Sequence, residues 1–292
     1  MSAPIAIFAF NRPDALQRML NSLKSNPEYR ESEKYFFIDG ARTPDEQAVV
    51  NKVIEIARKE SDNVCCNPAN IGLGSNIIQG VTTVLSKHDR VIVLEDDLVL
   101  MPGFLRFMNE GLTAFEKDNR ILSVCGYSLK IKVPEGYASS VYMGDRASSW
   151  GWATWRDRWT KVDWTVKDWP EFSHDKKAII GFNRAGSDMF SMLKDYMEGR
   201  NRSWAIRFCY HQYRHNLWSV HPIQSLVDNE GFGLAATNCR QKYNRFKIEP
   251  AEKNSFAVSE KFEPVPYILK QLHKYHSIPI RIYSRIRKAL NI

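Results

Sequence analysis

Three consecutive carboxylates, Glu95-Asp96-Asp97, directly follow the apolar run Val91 to Leu94. Such neighbours repel one another, and a hard divalent cation, Mg2+ or Mn2+, removes that cost by taking one or two protein carboxylates together with phosphate oxygens. A solvated strand end or a helix cap is the plainer alternative. Arg12 follows an earlier apolar run, Pro4 to Phe10, and Asp39-Gly40 follows another, Tyr35 to Ile38. An Arg and an Asp brought together from those runs would grip a nucleobase edge and a ribose, or form a surface ion pair worth about 0–1 kcal/mol. In Asn70-Ile71-Gly72-Leu73-Gly74 the glycines tolerate the dihedrals that let backbone N–H groups approach a ligand.

The elements that must position these residues follow from periodicity. Pro4 to Phe10 reads as a strand, and after Asn11-Arg12 a helix opens at Pro13 with Leu16, Met19, Leu20 and Leu23 on its apolar face. Tyr35 to Ile38 is a second strand, followed by a helix over 44–58. A short third strand at 64–67 leads to a helix over 75–85, and Val91 to Leu94 is the fourth strand. Strands alternating with helices predict a mostly parallel sheet covered on both faces, with the ligand crevice at the carboxyl ends of the strands. A helix over 103–115, a strand over 121–125 and a helical segment over 188–197 follow, with antiparallel strands completing the same domain.

Composition excludes other classes. The chain has 292 residues, 43% of them apolar and 25% charged, which is globular rather than fibrous or disordered. No stretch reaches 18 apolar residues without a charge, and Asn11 and Arg12 come too early for a secretory leader. Five cysteines at irregular spacings suggest neither zinc nor a disulfide framework, so the expected compartment is the cytoplasm. The net charge of +8 favours anionic partners, but the predicted crevice is acidic and the basic excess is terminal, so nucleic acid is not expected.

Strand-Asn-Arg-Pro, strand-Asp-Gly, Asn-x-Gly-x-Gly and Val-Leu-Glu-Asp-Asp-Leu, in that order, resemble a GT-A nucleotide-sugar glycosyltransferase. The Glu-Asp-Asp is similar to that of the N-acetylglucosaminyltransferase that initiates complex N-glycans, a variant of the Asp-x-Asp metal motif. Ser-Trp-Gly-Trp-Ala-Thr-Trp (149–155) and Ser-Trp-Ala-Ile-Arg (203–207) resemble bacterial cell-surface polysaccharide transferases. The likeness covers roughly residues 4–240 and implies an α/β, Rossmann-like GT-A fold with a Trp-rich acceptor side. It divides the chain into a nucleotide-sugar half (1–115), an acceptor half (116–245) and a basic C-terminal extension (246–292).

The resemblance implies Arg12 and Asp39 on the uracil of a UDP-sugar, Glu95 and Asp96 on the ribose and nearby waters, and Asp97 on the Mn2+ or Mg2+ that bridges the diphosphate. Asn11, Gly40, Asn70, Gly72 and Gly74 complete the donor set. Trp150, Gly151, Trp204 and Arg207 are the acceptor or sugar-binding candidates, although most of the eight tryptophans, all between 150 and 218, can equally be core. Trp152, Trp155 and Trp159 share one face if that segment is helical. An Asp often follows the tryptophan of the later motif in similar proteins, but Ala205 stands there. Asp188, Asp145 and Glu230 are therefore the general-base candidates, with Asp195, Glu198 and Asp228 nearby.

Similar proteins show Thr-His-Cys where this chain has Thr237-Asn238-Cys239, which leaves His211 and His221 as alternative metal ligands or as structural histidines. Ile282, Ile286 and Leu290 line one face of a helix over 278–290, and Arg281, Arg285 and Lys288 another. Such a helix lies on an anionic membrane or docks on its own domain. The functional expectation is a metal-dependent hexosyl- or N-acetylhexosaminyltransferase using a UDP-sugar and a glycan or lipid-linked acceptor. Its setting would be bacterial lipopolysaccharide, capsule or related synthesis, in the cytoplasm or peripheral to the inner membrane. The alternatives are a non-catalytic carbohydrate-binding protein and a sugar-nucleotide nucleotidyltransferase, the latter disfavoured by Asn-Arg-Pro where a Gly-rich, Lys-containing loop belongs.

Overall fold

The computed structural model describes residues 2–231, 245–248, 256–259 and 261–290, so Asn238 and Cys239 lie outside the described residues. The first half alternates β1 (Ile5–Ala9), α1 (Pro13–Lys24), β2 (Lys34–Ile38), α2 (Gln47–Glu60), β3 (Val64–Cys66), α3 (Leu73–Lys87) and β4 (Arg90–Glu95). Pro13 stands at the start of α1, where its missing N–H removes no helical hydrogen bond. The chain continues through β5 (Leu98–Leu100), α4 (Phe104–Ala114), β6 (Ile121–Cys125), β7 (Val141–Gly144) and β8 (Trp152–Trp155). Four helices follow, α5 (Arg156–Trp159), α6 (Trp169–Phe172), α7 (Lys176–Phe182) and α8 (Met189–Met197). Then come α9 (Trp204–Arg214), β9 (Trp218–Pro222), β10 (Val227–Asn229), α10 (Pro266–Tyr275) and α11 (Ile278–Leu290).

Eight strands form one sheet in the order β3-β2-β1-β4-β8-β6-β9-β7. The first four are parallel, β8 runs antiparallel to both β4 and β6, β9 is parallel to β6, and β7 closes the edge antiparallel to β9. Residues alternate between two cores because a strand has period two. Ile5, Ile7, Phe36, Ile38, Ile92 and Leu94 face α1, α2 and α4, while Ala6, Phe8, Tyr35, Phe37, Val91 and Val93 face α3 and α9. Gly80 lets α3 settle on the stacked rings of Phe8 and Phe37, since a Cβ there would meet Phe8 at 2.6 Å. That close seat carries the start of α3 to the strand ends.

The tryptophan segment departs from the expectation of one helical face. Trp152 and Trp155 belong to β8 and Trp159 to the short α5. Trp155 joins the core beneath α4, whereas Trp152 joins the opposite core with Trp159. The strand is selected because it fills the gap between β4 and β6, pairing Val93 with Trp152 on one side and Cys125 with Trp152 on the other. Sheet pairing has overridden a spacing that also fits a helix.

Candidate active site

Register fixes where the chemistry-bearing residues meet. Ala9 pairs with Ile38 and Phe8 with Glu95, so Asn11-Arg12, Asp39-Gly40 and Glu95-Asp96-Asp97 all emerge from one edge of the sheet. Asn11, Arg12, Asp39, Glu95 and Asp96 line a cavity of about 260 Å³ together with Asn70 and Gly72. Phe10, Arg42, Leu73 and Asn76 also line it and were not singled out in the sequence. Arg42 carries a readable signal, because a cation four residues beyond the end of β2 falls at the same crevice.

Arg12 holds the acidic triplet together. Its Nη1 donates to Asp97 Oδ2 at 3.0 Å and its Nη2 to Asp96 Oδ1. Arg12 is therefore an ion-pair partner of Asp96 and Asp97, which corrects the expectation that it pairs with Asp39. Burial outweighs the relief this cation gives. Burial, then Asp97 and Asp96, push Glu95 up to about 8 while Arg12 opposes, and burial lifts Asp96 to about 6 against the pull of Arg12. Asp96 Oδ2 and Asp97 Oδ1 are buried with no hydrogen-bond partner among the described residues. The main chain of β10 continues over the triplet, where Glu230 N donates to Asp97 O at 3.0 Å. A Cβ at Gly231 would meet Asp97 Oδ2 at 2.5 Å.

Asp39 organises the neighbouring loop. It is 4% exposed and accepts from Ile71 N and Gly72 N at 2.9 Å each, from Gly40 N at 3.0 Å and from Asn67 Nδ2 at 3.2 Å. Asn70 Nδ2 donates to Gly40 O at 2.9 Å, so the loop is tied back to the end of β2. Gly72 has φ +81°, a region that L side chains disfavour. A Cβ at Gly40 would strike the Ala69 backbone at 2.4 Å, and one at Gly74 would strike Arg202 O at 2.2 Å. These glycines are placed by chain crossings, which motif spacing hinted at but could not specify.

A second cavity, of about 310 Å³, opens beyond β8 and is lined by Trp150, Tyr127, Asp145, Arg146, Ala205 and His276 among others. Trp150 packs edge-on to Tyr127 with ring centroids 4.5 Å apart. Gly151 has φ +60° and packs under Phe104 and Val227. Trp204 and Arg207 are core residues, a correction to the sugar-facing expectation. Trp204 stacks on Trp152 at 4.8 Å, and Arg207 lies over Tyr196 while its Nη1 donates to Trp164 O at 2.8 Å.

Of the base candidates, Asp188 pairs with Arg146 at 2.9 Å and Asp145 with His273 at 2.6 Å. Burial would raise Asp188, but Arg146 beside it outweighs burial and holds it below the usual carboxylate range. Glu230, joined to Asp97 through its main chain, is half-exposed and pairs with Arg18 at 2.8 Å. His221 is not available as a metal ligand, because Nδ1 and Nε2 lie 3.0 and 3.2 Å from the carbonyls of Tyr127 and Arg146. An imidazole donates from both nitrogens only as imidazolium. His211 packs tilted against His215 with ring centroids 4.4 Å apart, and burial pushes it down to about 4. Among the described residues no three His, Cys, Asp or Glu side chains converge as a complete metal cage.

Residues 5–152, half of the chain, match the profile of glycosyl transferase family 2. The chain belongs to that family. The fold described above is the mixed α/β, GT-A-like one that the sequence led us to expect. No curated protein matches the sequence. Among solved structures, the galactosyltransferase LgtC with donor and acceptor sugar analogs is 14% identical over 58% of this chain and 65% of its own, with a TM-score of 0.35. The mannosyltransferase PcManGT from Pyrobaculum calidifontis with GDP-Man and Mn2+ is 12% identical over 54% of this chain and 46% of its own, also at 0.35. A cytidylyltransferase from Leptospira borgpetersenii is 14% identical over 61% of this chain and 73% of its own, again at 0.35. The chain thus spans less than two thirds of the two transferases' lengths.

The raised carboxylates tie the stability of this family 2 protein to pH. A folded-state pKa above the unfolded one gives stability that is full below the unfolded value and lost as pH rises through the folded value. For Glu95 that window runs from the ordinary carboxylate range up to about 8. Glu95→Gln keeps the neutral form throughout, so in metal-free buffer its Tm advantage grows from pH 5 to pH 8 and then levels off. The gain at pH 8 is roughly 1–2 kcal/mol after solvent screening, or about 2–8 °C. A Tm difference that stays constant across this range contradicts the assignment.

Proposed function

We propose that this glycosyltransferase moves a hexosyl or N-acetylhexosaminyl group from a UDP-sugar to a glycan or lipid-linked acceptor in bacterial surface polysaccharide synthesis, with Mn2+ or Mg2+ as cofactor. The observation that carries the reading is the pair of buried carboxylate oxygens without a hydrogen-bond partner among the described residues, one on Asp96, which lines the strand-end cavity, and one on its neighbour Asp97. Buried acceptors without donors cost free energy, and a cation is the partner that acidic oxygens take in place of an N–H. Asp97 would hold the ion with Asp96 beside it, and the remaining positions would go to diphosphate oxygens rather than to a protein cage. When bound, the ion neutralises charge developing on the departing nucleoside diphosphate.

The chain's own residues supply the rest. Arg12 and Arg42 put cationic groups at the cavity, Asp39 fixes the loop that presents the backbone around Gly72, and Asn11 and Asn70 add polar contacts for base and ribose. Glu230 is the base of this proposal, since its main chain bonds to Asp97 and its pair with Arg18 is open to solvent, whereas Asp188 and Asp145 are held in more buried pairs. Trp150 and Gly151 form the acceptor wall.

Calorimetry of UDP with manganese-loaded protein tests the donor site. Wild type binds, Asp97→Asn loses at least tenfold in affinity, and sugar transfer falls about 10²–10³-fold. Absence of heat in wild type removes the nucleotide assignment. In the same assay Glu230→Gln keeps UDP affinity but lowers kcat about 10²–10⁴-fold. Unchanged kcat transfers the base role elsewhere.

No helix among the described residues is long and apolar enough to cross a membrane. Helix α11 nevertheless exposes Ile278, Ile282, Tyr283, Ile286 and Leu290, each at least half solvent-accessible, on a segment carrying Arg281, Arg285 and Arg287 and no acidic residue. Apolar faces flanked by cations bind anionic lipid surfaces, which fits the cytoplasmic face of the inner membrane and a lipid-linked acceptor. Flotation with phosphatidylglycerol vesicles checks this. Wild type rises with the lipid and Ile282→Asp remains below, whereas equal flotation of both proteins rules α11 out as the contact.

A further inference from the structure

The charged lining of the second cavity includes Arg146, Asp145 and His276, and two more guanidinium groups, Arg245 and Arg281, lie within electrostatic reach of His276. Arg146 lines it and pairs with Asp188. Arg281 Nη1 donates to Ser187 Oγ at 3.0 Å, and Ser187 N and Oγ both donate to the carbonyl of His276. Arg245 lies over the rings of Phe246 and Tyr275, 4.4 and 5.4 Å from their centroids, within electrostatic reach of Arg146, Arg281 and Asp188. Three guanidinium groups thus surround His276 with Asp188 as the facing carboxylate. Asp145, at another part of the wall, is held by His273.

Two polar atoms in this cluster are unsatisfied. Arg245 Nη1 and His276 Nδ1 are buried with no hydrogen-bond partner among the described residues. A buried guanidinium N–H without an acceptor is costly. His276 is pushed down to about 3, first by burial and then by Arg146, with Asp188 opposing. The other lining is apolar and aromatic, from Trp150, Tyr127, Leu129 and Phe246. A mostly apolar cavity with a few convergent cationic groups suits an organic molecule bearing an anion.

We propose that this cavity is an acceptor subsite for a negatively charged substituent, a phosphate or a carboxylate, bound by Arg245 and Arg146 beside His276 while Trp150 and Tyr127 pack against the attached sugar. The acceptor role rests on the glycosyltransferase reading above, but the anion site stands on its own geometry. The diphosphate of a lipid-linked sugar and the carboxylate of a uronic acid share this chemistry. Arg245 and Arg146 act here as binding residues and take no part in bond making.

The test uses the full chain in metal-free buffer, so that the acidic triplet offers no competing phosphate site. Inorganic pyrophosphate and glucuronate are titrated separately, with glucose as the neutral control. Wild type binds at least one anion saturably and more tightly than glucose, and Arg245→Gln weakens it about tenfold or more. Arg146→Gln leaves Asp188 buried without its partner and is expected to lower Tm, so Arg245→Gln is the deciding variant. Pyrophosphate alone identifies a phosphorylated acceptor, and glucuronate alone identifies an acidic sugar. The proposal is overturned if neither anion binds, or if Arg245→Gln binds both as wild type does. UDP titration with Mn2+ on Arg245→Gln gives wild-type affinity; if UDP fails with both proteins while the anion still binds, the donor reading falls and the anion site remains.

Discussion

The architecture turns on the contact between the Arg12 guanidinium and the carboxylates at the end of β4. Three adjacent acidic side chains at a buried strand end oppose folding, and a single planar cation spanning Asp96 and Asp97 makes the arrangement tolerable. The contact needs β1 and β4 to be parallel neighbours, which the pairing of Phe8 with Glu95 secures. It also needs the chain after Asp97 to turn back into β5, where β10 covers it. Glu95 and Asp96 remain above the usual carboxylate range despite Arg12, so the site holds unspent electrostatic demand.

Much of this was legible in the sequence because its signals are local. The first four strands, the helices between them and their carboxyl-end residues follow from apolar runs cut by Asn-Arg-Pro, Asp-Gly and Glu-Asp-Asp. The helix over Ile278–Leu290 is likewise set by its own periodicity. The partners of each charge were not legible. Arg12 meets Asp96 and Asp97 across more than eighty positions, and nothing in the spacing favours that over Asp39. Asp39 instead bonds to the backbone of Ile71 and Gly72, a contact made by main-chain atoms that carry no sequence signature.

The tryptophans show the same division. Their clustering marks an important region, yet Trp152 and Trp204 fill the core beneath the sheet while Trp150 alone among these three lines the second cavity. An indole has the same propensity in either setting, and burial is decided by which strand the segment joins. Arg146, Arg245 and His276 were invisible for a related reason, since they come from a loop, an irregular segment and the end of α10 and converge only in three dimensions.

The strand order has a consequence for how such a fold can diversify. The strand-end cavity gathers around β1, β2 and β4, and the basic cavity beyond β6, with antiparallel β8 between β4 and β6. Strands β4 and β6 are two inter-strand steps apart, about 10 Å, a spacing fixed by backbone hydrogen bonding and indifferent to side chains. Replacing lining residues can therefore retune what enters either chamber while the strands between them keep their spacing, so the two chambers can change independently without rebuilding the scaffold.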